Sequence, residues 1–243
     1  MKLDDGNERV NEFFRSVVQD WTPARARPSV QMMFAPVSSD ENVLRSCSHV
    51  LSNAERSRAE RMLTDGDGNQ FIQRRAFRRF CASLAIGSSG ASLSGIDFEE
   101  TEEGRPYLSS APDLSFSFSS CRFGFIGAWS RVYAVGIDFE DRTQPIEATE
   151  LARQFFSEVE SRMVDDADDV SYVQTFYELW SLKESALKSI GKGLPFGLDA
   201  FGFDLSPELR VTRAPSEYGG PDRFEPYLIN GKRTCAALVT YIK

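Results

Sequence analysis

The chain has 243 residues, 41% hydrophobic and 26% charged, which suits one large globular domain or two small ones. Its net charge of −8 disfavours nucleic-acid binding, and no apolar run approaches the roughly 18 residues of a membrane helix. The acidic N-terminus lacks a secretory signal and the four cysteines form no C-x-x-C pair, so we expect a cytoplasmic protein with free thiols and no zinc site.

The charge is unevenly spread along the chain. Residues 50–80 hold seven Arg against four acids, whereas residues 138–170 hold eleven acids against three Arg. This division favours a phosphate-bearing ligand on one side of the molecule and a cation on the other. Two solvated faces are the alternative explanation.

An amphipathic helix is predicted at the N-terminus, because apolar residues recur at helical spacing from Val10 to Trp21 and Pro23 follows. We interpret residues 1–29 as a helical extension that docks on the body of the molecule. The next segments are predicted to be a strand at 29–37, a helix at 54–63, a loop at 65–69 and a second helix at 70–85.

The Gly/Ser-rich stretch at residues 87–95 resembles a phosphate-binding loop, but it follows a helix and contains no Lys, so we interpret it as a connector. The acidic run at 165–169, DDADD, is interpreted as a solvated loop after a helix at 151–163. Strands are predicted at 96–99, within 113–129 as a pair, and at 200–205, 208–212, 223–229 and 234–242.

The segment Ala134–Glu140, AVGIDFE, alternates strictly, which predicts a strand with Asp138 and Glu140 on one face. Two such carboxylates lie about 7 Å apart and point the same way, so both could reach one hard cation. The alternative is a strand with a merely polar outer face. Glu184 further along the chain favours the cation site.

A long amphipathic helix is predicted within 176–190, and it ends at Gly191. Glu184 and Lys188 are four residues apart and share a face, while Lys183 lies one step round the helix. An ordinary solvated ion pair is the alternative interpretation of these charges.

A weak internal repeat is visible when the chain is shifted by 105 residues, which aligns Glu55 with Glu160 and Arg78 with Lys183. Each copy runs helix, loop, helix and then strands. The sequence therefore predicts an α+β fold of two pseudosymmetric halves, at 30–134 and 135–243, with the active site in the cleft between them.

The helix also matches a family signature. In W-[ST]-x-K-E-[AS]-x-x-K-x-x-G-x-G-L every fixed position is filled, from Trp180 to Leu194, and VGIDFE precedes it by about 40 residues. From roughly Val30 to Lys243 the chain resembles the Sfp-type 4′-phosphopantetheinyl transferases. The resemblance implies transfer of phosphopantetheine from coenzyme A (CoA) to a serine of an apo acyl or peptidyl carrier protein, with Mg²⁺ required and 3′,5′-ADP released.

The resemblance also implies site residues in a protein that we expect to be monomeric. The metal ligands would be Asp138, Glu140 and Glu184, and the phosphate contacts Lys183 and Lys188. Further CoA contacts would be Arg56, Arg58, Arg105, Ser119 and Ser120. The hydroxyl proton of the carrier serine needs a base, and Glu184 is the candidate, so the catalytic set is Glu184, Lys183 and Lys188.

Three positions depart from the family pattern. Ser120 stands where the family has histidine, Ser117 where it has asparagine, and Gln70 where arginine is usual. All three changes fall on the CoA-binding half. They leave open an alternative, a non-catalytic relative that binds a carrier protein or nucleotide as a regulatory or scaffold protein.

Overall fold

The computed structural model describes residues 5–87, 92–168 and 171–243. Its helices are α1 Asp5–Val17, α2 Glu41–His49, α3 Asn53–Glu60, α4 Asp65–Ala85, α5 Ala148–Phe155, α6 Glu158–Asp165 and α7 Tyr172–Ser189. Its strands are β1 Gln19–Asp20, β2 Gln31–Pro36, β3 Glu99–Glu100, β4 Pro106–Tyr107, β5 Ser115–Cys121, β6 Gly124–Ser130, β7 Ala134–Asp141, β8 Gly202–Asp204, β9 Arg210–Arg213, β10 Phe224–Asn230 and β11 Thr234–Tyr241.

Two antiparallel sheets, each packed against one long helix, confirm the predicted α+β class. The first sheet has the order β1-β2-β6-β5 and packs against α4, and the second has the order β10-β11-β7 and packs against α7. Short pairs β3-β4 and β8-β9 flank them. The paired strands at 115–130 and the C-terminal hairpin lie where the sequence predicts them.

The first half has an aromatic core. Phe77 and Phe80 of α4 are buried, and the ring of Phe77 lies 6.0 Å from that of Phe125 on β6. Phe14 of α1 packs on the same pair, with ring centroids 5.7 and 5.2 Å from Phe77 and Phe80. The N-terminal helix therefore contributes to the core of the first half.

The N-terminal prediction is wrong beyond Val17. The helix ends there, and residues 19–20 form β1, which pairs with β2. Trp21 continues this extended path, since its amide donates to the carbonyl of Met32 at 2.9 Å and its ring stacks on Phe34 at 4.2 Å. Burial of the indole against the sheet overrides the helical periodicity. The extension is thus part helix and part strand.

Capping side chains account for the other differences in the helices. The predicted loop at 65–69 is the first turn of α4, because Thr64 accepts a hydrogen bond from the Asp67 amide and the acids there favour a helix N-terminus. Ser157 forms a capping box with Glu160, so the helix predicted at 151–163 is two helices, α5 and α6. Helix α2, capped by Asp40, was not predicted.

The unusual closeness of α7 to β7 depends on Gly136. A Cβ built there would lie 3.0 Å from the carbonyl carbon of Lys188 and inside contact distance of Ser185 and Ser189 backbone atoms. Only a residue without a side chain allows this approach. It brings the helix carrying Glu184 and Lys188 directly onto the strand carrying Asp138.

A third apolar cluster joins the two halves. It contains Met32 and Ile126 from the first sheet and Val135, Ile137 and Leu238 from the second, all buried. The apolar face of β7 is therefore fixed against the first half. Its acidic face is not a solvated outer face either, since every residue of β7 except Glu140 is buried.

Part of the acidic and Gly/Ser-rich runs falls outside the described residues. The positions concerned are 88–91 of the predicted connector and 169, the last residue of the acidic run, together with its neighbour 170. Asp165 itself belongs to α6, and its carboxylate pairs with Arg153 at 3.0 Å.

Candidate functional site

Asp138 forms the centre of a charged group between β7 and α7. It is only 3% exposed. Its Oδ1 accepts hydrogen bonds from Lys188 Nζ at 2.7 Å and from Ser119 Oγ at 3.1 Å. Its Oδ2 is buried and accepts no hydrogen bond in the described part of the chain. A buried carboxylate oxygen without a partner is costly and marks a place for a further ligand.

Two more carboxylates crowd this aspartate. Burial, followed by the charge of Asp138, raises the pKa of Glu140 to about 8. Burial likewise raises the pKa of Glu184, with Asp138 adding to the effect and Lys188 opposing it. Three acids thus share one ammonium group, since Lys188 also lies 3.8 Å from Glu184.

Lys188 retains its proton in this setting. Burial by itself would lower its pKa, but the charges of Asp138, Glu184 and Glu140 together outweigh burial and raise it. The side chain is therefore a fixed positive charge at the edge of the acid group.

Lys183 is not part of this group, and its predicted role as a phosphate contact and catalytic residue remains a prediction. The side chain is fully buried on the other side of α7. Its Nζ donates to Glu160 at 2.8 Å and to the carbonyls of Leu198 and Phe201 at 3.1 and 2.6 Å. All three ammonium hydrogens are used, so Lys183 holds the second half together.

A pocket of about 220 Å³ opens beside the acid group. Its charged lining comes from both halves and consists of Arg78, Glu103, Arg105, Glu184, Lys188 and Lys192. Phe116 and Phe118 of β5 form its apolar wall. Four cations against two acids make it suitable for an anionic ligand with a ring or chain to bury.

Arg105 lines the pocket and forms hydrogen bonds to both halves of the molecule. Its guanidinium donates to the carbonyl of Ser189 at 3.1 Å and to Ser115 Oγ at 2.5 Å. Burial lowers its pKa. At the rim, Lys192 pairs with Glu103 at 2.6 Å, again across the halves. The predicted residue therefore does line the pocket, but most of its donors already have protein partners.

The two predicted serines lie on opposite faces of β5. Ser119 shares a face with Ser117, whose hydroxyl accepts from the Ile137 amide at 3.0 Å. Successive strand residues point to opposite faces, so Ser120 lies on the same face as Phe118. The guanidinium carbon of Arg78 lies 5.2 Å from the ring centroid of Phe118. Ser119 therefore belongs to the acid group, whereas Ser120 shares a face with Phe118 but is not among the residues that line the pocket.

Arg56 and Arg58 lie apart from the pocket lining. Arg56 donates to the carbonyls of Ser48 and Leu51, which fixes the turn between α2 and α3. Arg58 lies over the ring of Phe71 at 5.5 Å, in a cluster with Arg74 and Arg75.

The cations that sequence reasoning missed are Arg78 and Lys192. The signal for Arg78 was its place one helical turn after Arg74 in the basic stretch of α4. Lys192 stands inside the quoted signature, between two of its fixed glycines.

The donor set suits a hard cation in chemistry. A divalent ion would give the buried Asp138 Oδ2 a partner, and its charge would favour the ionised forms of Glu140 and Glu184, whose pKa values are raised. Within residues 5–87, 92–168 and 171–243, however, no three acid, His or Cys side chains converge on one point. Lys188 is the cation that neutralises Asp138 in this arrangement.

No described helix combines the length and apolar character that crossing a membrane would need.

Residues 134–237 match the 4′-phosphopantetheinyl transferase superfamily. The chain is 37% identical to 4′-phosphopantetheinyl transferase Sfp of Bacillus subtilis over 119 residues, 49% of this chain and 52% of that protein. It is 33% identical over 148 residues to another 4′-phosphopantetheinyl transferase from Bacillus subtilis, covering 60% of this chain and 62% of the relative. A third similar protein is the L-aminoadipate-semialdehyde dehydrogenase-phosphopantetheinyl transferase of Schizosaccharomyces pombe, 29% identical over 59% of this chain and 60% of its own. The matched regions thus span between half and about three fifths of these relatives.

Proposed function

We propose that this chain, of which residues 134–237 match the 4′-phosphopantetheinyl transferase superfamily, transfers phosphopantetheine from CoA to a serine of an apo acyl or peptidyl carrier protein. The second product would be 3′,5′-ADP. The observation that carries the proposal is the group of Asp138, Glu140, Glu184 and Lys188, of which Glu184 and Lys188 line a cationic pocket between the halves.

The charged residues of the site have several roles in the proposal, and Glu184 has two of them. Lys188 keeps its charge and can exchange Asp138 for a phosphate oxygen of CoA. Glu184, whose pKa is raised, is suited to accept the proton of the attacking serine hydroxyl. Arg78 and Lys192 supply further positive charge for the nucleotide end of CoA.

Asp138, Glu140 and Glu184 would hold the Mg²⁺ ion of the proposed enzyme. The ion would supply neutralisation of charge on the CoA diphosphate. Support for this assignment comes from the buried Oδ2 of Asp138, which has no protein donor among the described residues.

Free cysteines support a reducing, cytoplasmic setting for the reaction. Cys47, Cys81 and Cys235 are buried thiols, and Cys121 is half-buried at the end of β5.

The direct test is mass spectrometry of several apo carrier proteins incubated with the protein, CoA and Mg²⁺. A carrier that gains one phosphopantetheine group, and does not when Mg²⁺ is chelated, supports the proposal. CoA binding with no transfer to any carrier that binds the protein would instead favour a non-catalytic relative.

A further inference from the structure

Four basic side chains come together where the β5–β6 turn, the end of β7 and the β10–β11 turn meet. Arg122 and Arg233 both lie over the ring of Phe123, with guanidinium carbons 4.9 and 4.6 Å from its centroid. The amide of Arg142 donates to the carbonyl of Arg233 at 2.9 Å, and Lys232 is the exposed neighbour of Arg233. We call this set the basic surface: Arg122, Arg142, Lys232 and Arg233.

Two carboxylates lie close to the basic surface, Asp141 and Glu178, and Glu178 accepts a hydrogen bond from Asn230 at the end of β10 at 2.6 Å. Asp141 pairs with Arg122 at 2.6 Å, but it is buried and also bonded by Thr143 and Gln144. Across the described residues, no carboxylate forms an ion pair with the other three cations of the basic surface. On a chain with a net charge of −8, this is a local excess of positive charge. Such a surface attracts an acidic partner.

The basic surface and the pocket lie at opposite ends of the acid group. Gly136, near the start of β7, contacts the last turns of α7 beside the pocket. Asp138 and Glu140 follow along the strand, and Arg142 comes two residues after Glu140. Since a strand rises about 3.4 Å per residue, the Cα of Arg142 lies about 7 Å beyond that of Glu140.

The proposed reaction determines the direction from which the carrier serine must approach the acid group. The serine oxygen forms a bond to the phosphorus that carries the pantetheine arm, while the bond from that phosphorus to the bridging oxygen breaks. The electron pair of the broken bond leaves with 3′,5′-ADP, and the hydroxyl proton goes to the base. Attacking and leaving oxygens are roughly in line on opposite sides of the phosphorus. With the nucleotide in the pocket, the serine must approach from the far end.

We propose that the basic surface docks the acidic face of the carrier protein that presents the acceptor serine. The inference rests on the proposed transfer reaction and names where its protein substrate binds. A protein interface typically covers about 800 Å² on each partner, so a carrier whose serine reaches the acid group from this end must cover the neighbouring loops.

The basic stretch of α4 is the competing docking surface, and the structure disfavours it. Arg74 and Arg75 lie over the ring of Phe71 at 5.6 and 5.2 Å. Arg75 also lies 3.6 Å from Glu55, and its side chain is only 18% exposed. Both arginines are therefore less exposed than Arg122 of the basic surface, the side chain of which is 55% exposed.

The test reverses two exposed charges in the Lys232→Glu/Arg233→Glu variant. Its substrate is an acidic apo acyl carrier protein, and steady-state kinetics are measured at about 0.05 M and about 0.3 M NaCl. We expect the KM for the carrier to rise about tenfold at low salt, with the KM for CoA unchanged and the difference from wild type smaller at high salt. Circular dichroism checks that the variant is folded.

The matched control is Arg61→Glu, an exposed reversal at the C-cap of α3. An unchanged carrier KM in the double variant, an equal rise in the control, or an equal rise in the KM for CoA would each overturn the assignment. If the wild type transfers nothing, the proposed reaction fails instead. Equilibrium titration with a carrier whose acceptor serine is replaced by alanine then decides the docking surface independently: tenfold weaker binding by the double variant supports it, and equal binding refutes it.

Discussion

Replacing Gly136 with alanine should separate the two elements that carry the candidate site. The new Cβ would collide with backbone atoms of Ser185 and Ser189, which cannot rotate away as a flexible side chain can. Helix α7 would have to move by about 1 Å or more from β7 to restore ordinary contact. Overpacking of this kind costs about 3 kcal/mol of unfolding free energy. Because Lys188 and Glu184 move with the helix, we also expect kcat/KM to fall about 100-fold.

Urea unfolding of Gly136→Ala measures the first effect, and transfer kinetics on the folded fraction measure the second. Gly95→Ala is the matched control, because Gly95 is exposed and a Cβ there meets nothing within 4 Å. The control should stay within about 0.5 kcal/mol of wild type. Stability and activity of Gly136→Ala equal to those of Gly95→Ala would refute the close-packing argument.

Four further substitutions test individual side chains. Lys183→Met should lower the free energy of unfolding by about 3–5 kcal/mol, because it leaves Glu160 buried without its cation, yet leave the KM for CoA unchanged. Lys188→Met should instead lower kcat/KM about 100-fold, and the opposite pattern for the two lysines would contradict their placement. Mg²⁺ with 3′,5′-ADP should raise the melting temperature of the wild type. Asp138→Asn should remove the part of this rise that depends on Mg²⁺, and a variant that keeps the whole rise would exclude Asp138 as a metal ligand. Ser120→His should tighten CoA binding more at pH about 5.5 than at about 7.5 in calorimetric titration, since imidazole gains charge as the pH falls through about 6.5; equal affinities would show that Ser120 does not face a phosphate.

Periodicity was sufficient to predict the two elements that carry the acid group. Alternation in 134–140 and helical spacing in 176–190 depend on local sequence, and the structure has a strand and a helix there. The approach of these two elements was not predictable, because it depends on the absence of a side chain at Gly136, and many glycines in a sequence look alike.

The family signature suggested a phosphate contact for Lys183, whereas the structure shows its ammonium group bonded to Glu160. A residue adjacent to Glu184 is turned by about 100° around the helix, so it reaches a different environment. The internal repeat held only part of the signal. It aligns Glu55 with Glu160, and the structure shows both as partners of a buried cation, Arg79 in the first half and Lys183 in the second. The repeat pairs Lys183 with Arg78 instead of Arg79, one position away, so it did not identify Lys183 as the structural cation.

The predicted helix boundaries were wrong where a capping side chain, and not the local composition, determines where the helix begins. The glycines and acids of 65–69 are typical of a loop, yet Thr64 makes them the first turn of α4. At Trp21 a long-range aromatic contact decided the conformation, and no local pattern reports such a contact.

The segment that carries Trp21 also sets an order for events during synthesis. The amide of Arg27 bonds to Tyr227, 200 residues away, the Arg27 guanidinium pairs with Glu225, and Trp21 lies edge-on to Phe139. Ribosomes add about 5–20 residues per second, so these partners emerge many seconds after the segment itself. The first sheet can form earlier, but Arg27 cannot contact Tyr227 and Glu225 until the last hairpin has been synthesised. Arg27 is therefore made early but is among the last residues to reach its final contacts.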